Sequence, residues 1–250
     1  MANTEQGDLL LLGAGKLFFD RFDANGDPTG ERFLGDCTSV EISTSDELRK
    51  RYSSSRASRP LMKSVNVRRT VEVAITFGEF DRDNVALVLM GSNTTNAVVA
   101  STGESVDFAN VLQDRSYDLG FRNVSNVAIS GSVLDTDFAV DAATGRVYII
   151  PGGNIADGDD ITVTFDQDGD VSPVVHGGGS NVIEGKLVFR GDPSSGPTWD
   201  AVFYKVNVTP DGPLSLIGDD WLEGKIKAEC LKTEDHEDLY LLTKRTAPPA

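Results

Sequence analysis

Val65-Asn66-Val67-Arg68-Arg69-Thr70-Val71-Glu72-Val73-Ala74-Ile75-Thr76-Phe77 repeats with a period of two. Val65, Val67, Val71, Val73, Ile75 and Phe77 take alternate positions, and Asn66, Arg68, Thr70, Glu72 and Thr76 fall between them. Successive side chains of a strand point to opposite faces, so this pattern predicts a long strand with one buried face. The same alternation recurs in Val202, Tyr204, Val206 and Val208, with Lys205 and Asn207 on the other face. Leu222, Ile226, Ala228 and Cys230 repeat it against Glu223, Lys225, Lys227 and Glu229. Ile183, Leu187 and Phe189 predict a fourth strand, and Leu34, Val40 and Ile42 a fifth.

Turn residues punctuate these runs. Asn25-Gly26 follows Lys16–Phe22, Asp211-Gly212 follows Val202–Val208, Thr144-Gly145 joins Asp137–Val140 to Arg146–Ile150, and Asp157-Gly158 precedes Ile161–Phe165. Such dipeptides between alternating runs are hairpin signals. The chain is therefore expected to be all-β with antiparallel neighbours. One helix is expected, capped by Asp83, running through apolar residues to Met90 and ended by Gly91. Being apolar all round, it should lie buried across a sheet opening. The Pro-rich end from Thr246 to Ala250 is expected to be loose.

The 250 residues can bury a sizeable core, and 39% hydrophobic with 25% charged residues is ordinary for a globular chain. The longest aliphatic runs, Leu9–Leu12 and Val85–Met90, are too short to span a membrane as helices, and no membrane partner is expected. The first eight residues hold no basic n-region, so no secretory signal is expected. Two cysteines, Cys37 and Cys230, are too few for a disulfide scaffold and are expected to be reduced core thiols.

Charge is strongly segregated. Between Leu48 and Arg69 stand Arg49, Lys50, Arg51, Arg56, Arg59, Lys63, Arg68 and Arg69, with no acid. The chain carries a formal net charge of -16, so removing those eight positive charges leaves -24 on the remainder. That balance argues against bulk binding of nucleic acid. Residues 46–64 interrupt the strand pattern with Ser53-Ser54-Ser55, Ser58 and Pro60, and predict a long exposed loop or extended hairpin. A segment of this length without a core role usually has a function. Stacking on nucleic acid would favour interleaved aromatics, and only Tyr52 is present. Docking onto an acidic partner fits better, and the chain supplies one. From Val147 to Gly185 there is no Lys or Arg, while Asp157, Asp159, Asp160, Asp166, Asp168, Asp170 and Glu184 are present. A basic arm and an acidic patch on one subunit make a heterologous contact, which closes into rings or grows into filaments.

Catalytic material is sparse. Gly13-Ala14-Gly15-Lys16 lacks the first glycine and the Ser or Thr of a phosphate loop, and a strand follows it. Asp23, Asn25 and Asp27, like Asp166, Asp168 and Asp170, have calcium-loop spacing, but neither run has the glycine or the twelfth-position Glu of an EF-hand. His176 and His236 belong to no Cys/His cluster with metal spacing, and no serine sits in a G-x-S-x-G elbow. No enzyme activity, cofactor or metal is expected.

Four segments carry a family resemblance. They are Leu12-Gly13-Ala14-Gly15-Lys16-Leu17-Phe18-Phe19, the interrupted segment Glu47–Ser64 before a long strand, Thr136–Ile149 followed by Asp157–Phe165, and Val206-Asn207-Val208-Thr209-Pro210 running on to Leu216–Trp221. In order and spacing they resemble a major tail protein, or tail tube protein, of long-tailed bacteriophages. The resemblance implies an antiparallel β-sandwich or partial barrel with a flanking helix. It further implies a structural virion protein that self-assembles into stacked, hexameric rings, forming a tube through which genomic DNA is ejected. Residues 46–64 would be the inter-subunit arm, with Arg49, Lys50, Arg51, Tyr52, Arg56, Arg59 and Lys63 on it. Asp157, Asp159, Asp160, Asp166, Asp168 and Asp170 would be its acidic partner or face the lumen. Implied partners are further copies, a tape measure protein and a tail terminator, with assembly in the bacterial cytoplasm and a final place in the virion tail. An acidic wall suits a conduit, because it repels phosphates that must not stick. The whole chain is expected to form one tube domain. Asn123–Gln167 is the segment that could instead be a small inserted immunoglobulin-like module. A carbohydrate- or calcium-binding β-sandwich adhesin is the alternative from another class, and a nucleic-acid binder acting through the arm is a third.

Overall fold

The computed structural model describes residues 10–55, 57–179 and 182–246. In chain order the first strands are β1 (Gly15–Arg21), β2 (Arg32–Phe33), β3 (Cys37–Tyr52) and β4 (Leu61–Phe77), followed by helix α1 (Arg82–Val88). Then come β5 (Ser92–Val98), β6 (Ser101–Val111), β7 (Arg115–Asp118), β8 (Val124–Ile129), β9 (Phe138–Asp141), β10 (Arg146–Ile149), β11 (Asp159–Gln167) and β12 (Asp170–His176). The last four are β13 (Ile183–Gly191), β14 (Trp199–Pro210), β15 (Gly224–Cys230) and β16 (Tyr240–Lys244). The fold is all-β and antiparallel with one helix, as the alternation predicts.

The chain divides into two compact units, one formed by residues up to Asn93 together with those from Val175 on, the other by Thr94–Val174. The second unit is wider than the 123–167 segment singled out in the sequence. Before residue 123 it includes β6, which pairs with β11 through Val106↔Val163, and β7, which pairs with β10 through Tyr117↔Val147.

In the first unit the strand order is β2-β1-β13-β14-β15-β4-β3. The long β14 has a divided edge: Trp199–Phe203 pair with β16 and Val206–Pro210 pair with β15. The inward residues of the period-two runs meet here. Val71, Val73, Ile75 and Phe77 of β4 pack with Phe203, Val206 and Val208 of β14 and with Ile226 and Ala228 of β15. Removing such side chains from water is the main stabilising contribution, about 1.5–3 kcal/mol each.

Helix α1 adds Leu87 and Val88 to this core. Its N-cap is Asp81 rather than the expected Asp83, because the Asp81 carboxylate accepts the Asn84 N–H at 2.7 Å. Asp83 falls inside the first turn. At the other end Met90 takes the left-handed conformation (φ 48°), and the Gly91 N–H closes onto the Ala86 carbonyl at 2.7 Å.

The second unit holds two three-stranded sheets, β7-β10-β9 and β6-β11-β8, around a core of its own. Phe138, Val147, Ile149, Val163 and Phe165 are its centre. Thr144-Gly145 makes the predicted turn between β9 and β10. β5 and β12 pair as a two-stranded ribbon.

Candidate functional site

β4 has β15 as a second neighbour only from Glu72 to Phe77. From Leu61 to Thr70 it pairs with β3 alone, through Arg69↔Asp46, Val65↔Arg49, Ser64↔Lys50, Lys63↔Arg51 and Leu61↔Tyr52. The basic segment is thus a paired β-hairpin rather than an open loop, and its ribbon runs about 30 Å beyond the core at strand rise. The Ser53 N–H donates to the Pro60 carbonyl at 2.9 Å to close its end. Every residue of β4 from Leu61 to Arg69 is exposed, and burial begins at Val71. The sequence-predicted Arg49, Lys50, Arg51, Tyr52, Arg59 and Lys63 all stand on this hairpin, and all are exposed. Arg56 lies outside the described residues.

Two ion pairs mark the hairpin's root. Arg69 meets Asp46 at 2.8 Å, and Arg68 meets Glu47 at 3.8 Å. The Arg69 fork holds the Asp46 carboxyl below its ordinary range. Among the described residues no ion pair engages Arg49, Lys50, Arg51, Arg59 or Lys63. The same stretch exposes Leu48, Leu61, Met62, Val65 and Val67. A two-stranded ribbon with charge and apolar groups both facing water is marginal alone and suited to a partner surface.

Asp157, Asp159, Asp160, Asp166, Asp168 and Asp170 lie in the second unit, on β11 and its flanks, whereas Glu184 lies in the first and pairs with Lys205 at 2.7 Å. Thr94–Val174 contains thirteen acids and three arginines, a net of -10. Most of these carboxylates are engaged by groups of their own unit. Asp157 accepts the Gln113 N–H at 2.7 Å, Asp159 the Ala156 N–H at 2.8 Å, and Asp160 the Asn110 N–H at 2.9 Å. Asp166 takes the Asn126 amide and the Gly103 N–H, which lower its pKa, and Asp168 takes the Ser125 hydroxyl. Between them Ile161, Val163 and Phe165 are buried.

The other candidates resolve into local structure. The Asp23 carboxylate accepts the Asn25 and Asp27 N–H groups, and its pKa is lowered chiefly by Asp27. Among the described residues no group of three or more His, Cys, Asp or Glu is arranged to hold a metal ion. Cys37 and Cys230 are free thiols, and no helix of the described residues is long and apolar enough to cross a membrane. His236 stacks on Tyr204 with ring centroids 3.6 Å apart. A cleft of about 460 Å³ in the first unit is lined by Val40, Ile42, Phe189, Trp199, Phe203 and Leu242, with no titratable side chain in its wall.

Two features escaped sequence reading. Asn84 is buried, donates to the Leu34 and Glu79 carbonyls at 2.9 Å each and accepts from Arg32 at 2.7 Å, tying α1 to the chain between β2 and β3. The signal was a lone polar residue in an apolar helix. The second is the exposure of the β14–β15 connection, residues 211–223: its Leu216–Trp221 entered the sequence reading only as a family likeness, yet it presents Leu216, Ile217 and Trp221 to water, and β15 begins at Gly224 rather than at Leu222. Its cue was the unpatterned run Leu214-Ser215-Leu216-Ile217-Gly218 between two regular strands.

The model of a family described as protein of unknown function UCP028589 matches residues 10–239. No curated protein matches the chain.

Proposed function

We propose, from the premise that this chain belongs to the UCP028589 family, that it is a structural subunit that self-assembles into stacked rings, the tube of a phage tail, through which DNA leaves the particle. The observation that carries the reading is the β3–β4 hairpin. It projects past the core with both faces exposed, and it carries positive charge on a chain whose remainder is strongly negative. A surface of this kind suits an acidic neighbour, and a second copy supplies one. Each copy would then both give and receive, which generates rings or filaments rather than a closed dimer. The wall left outside the hairpins is acidic and would repel phosphates, as a DNA conduit requires. The resemblance to tail tube proteins supports the same reading and suggests hexameric rings in the virion tail.

Negative-stain microscopy of the purified chain tests it. Rings or hollow tubes are expected. A species that stays monomeric at high concentration from low to high salt overturns the proposal. Charge reversal at Arg49, Arg51 and Arg59 is expected to abolish the assemblies while the circular dichroism spectrum stays unchanged.

A further inference from the structure

Strand β4 has two ends, and they are unlike. From its Val71 end the hairpin leaves the core. At its other end Phe77 pairs with Gly224, the first residue of β15. The 211–223 connection runs directly into Gly224, so it sits at the opposite end of the sheet from the hairpin. From Phe77 to Arg69 the extended chain takes eight residue steps, about 27 Å. A hairpin directed away from this connection cannot fold back onto it within one molecule.

The two ends are chemically complementary. The 211–223 connection exposes Trp221 at 97%, Ile217 at 94% and Leu216 at 83%, values close to those of free side chains. Beside them stand Asp219 and Asp220, neither of which makes an ion pair among the described residues. Glu223 is turned to Lys225 at 3.8 Å. Pro210 and Pro213 restrict the entry to the connection, and the Ser215 hydroxyl donates to the Ile217 carbonyl at 2.8 Å. The hairpin offers the counterparts, with exposed Tyr52, Leu61 and Met62 between Arg49, Lys50, Arg51 and Lys63. An indole flanked by two carboxylates is a good seat for an arginine, which can pair with the acid and lie over the ring. The carboxylates of β11 lack this combination, since that strand buries Ile161, Val163 and Phe165 and its Asp159, Asp160 and Asp166 are held by hydrogen bonds within their own unit.

We infer that the 211–223 connection is the surface on which the β3–β4 hairpin of a second copy of this chain docks. The contact is head to tail along the direction of β4, so each copy offers one hairpin and one receiving surface, and the arrangement propagates as a stack. This inference rests on the self-assembly reading above and names its receiving surface.

A charge-swap series tests it by sedimentation velocity and negative-stain microscopy. Asp219→Lys with Asp220→Lys is expected to stop assembly, as is Arg49→Glu with Arg51→Glu. Mixing the two variants, or combining all four substitutions in one chain, is expected to restore it. Trp221→Ala keeps the charges and is expected to raise the concentration at half-assembly by about tenfold or more, as losing a central interface aromatic does. Trp221 fluorescence should shift to the blue on assembly. Normal assembly of the Asp219→Lys/Asp220→Lys variant overturns this inference and leaves the self-assembly reading standing. A wild-type chain that never assembles overturns both. Circular dichroism and a thermal melt check that each variant is folded, which is expected because every substituted side chain is exposed.

Discussion

The guanidinium of Arg69 forks onto the carboxylate of Asp46 across the root of the projecting hairpin, Nε to one oxygen at 2.8 Å and the terminal nitrogen to the other at 3.2 Å. The pair stands two strand positions short of Val71, where burial begins, and replaces core packing with a two-point contact. Arg69→Lys keeps the charge and loses the fork. It is expected to accelerate amide exchange from 46 to 69 and leave the global melting temperature nearly unchanged. Acid should act the same way. The folded-state pKa of Asp46 is depressed, so its contribution is fully present above the ordinary carboxylate range and is lost as pH falls through the lower, folded value. Exchange at the root should therefore be flat from neutral pH to about 5 and rise, after correction for intrinsic rates, below about 4.

Asn84 holds three partners inside the first unit. Asn84→Ala leaves the Leu34 and Glu79 carbonyls without their donor. The expected loss is about 3 kcal/mol in urea denaturation, since buried acceptors keep their full desolvation cost when a partner is removed. Asn84→Asp is expected to be at least as damaging, because a carboxylate cannot donate to either carbonyl.

Gly145 has φ +66°, and a Cβ placed there would run into the Phe121 carbonyl oxygen. Gly145→Ala therefore adds both strain and a clash with backbone, which cannot move aside as a side chain could. A destabilisation above about 1 kcal/mol is expected. It should appear first as loss of amide protection in β9 and β10, while β13 and β14 of the other unit keep theirs.

The thiols of Cys37 and Cys230 are each pushed up to about 11 by burial, with the Asp36 and Glu79 carboxylates adding to the effect at Cys37 and Glu229 at Cys230. Neither should form thiolate near neutral pH. Ellman's reagent at pH 8 is expected to leave both unmodified in the folded chain and to modify both in denaturant. Rapid reaction of either in the native protein would contradict the burial.

Local periodicity was enough to place most strands, because a half-buried strand writes its two faces directly into alternate residues. Val71 to Phe77, Val202 to Val208 and the Thr144-Gly145 turn needed no knowledge of their partners. The hairpin at 46–64 was legible as an exposed basic segment, since charge and serine content are properties of composition. Its pairing register was not, because the ladder runs from Tyr52↔Leu61 at one end to Cys37↔Phe77, 40 positions apart, at the other, and no local pattern encodes register. The N-cap slipped from Asp83 to Asp81 for a similar reason: both are acids, and only the position of the Asn84 N–H decides between them. The placement of hairpin and 211–223 connection at opposite ends of one strand belongs wholly to the tertiary structure. It follows from β15 entering the sheet at Phe77 while the hairpin leaves beyond Val71, and two segments some 150 residues apart acquire a spatial relation only when the strands between them pair. The sequence by itself determined that the chain is β, acidic and armed with a basic segment. The pairing of strands decided where that segment points and which surface lies at the opposite end of its strand.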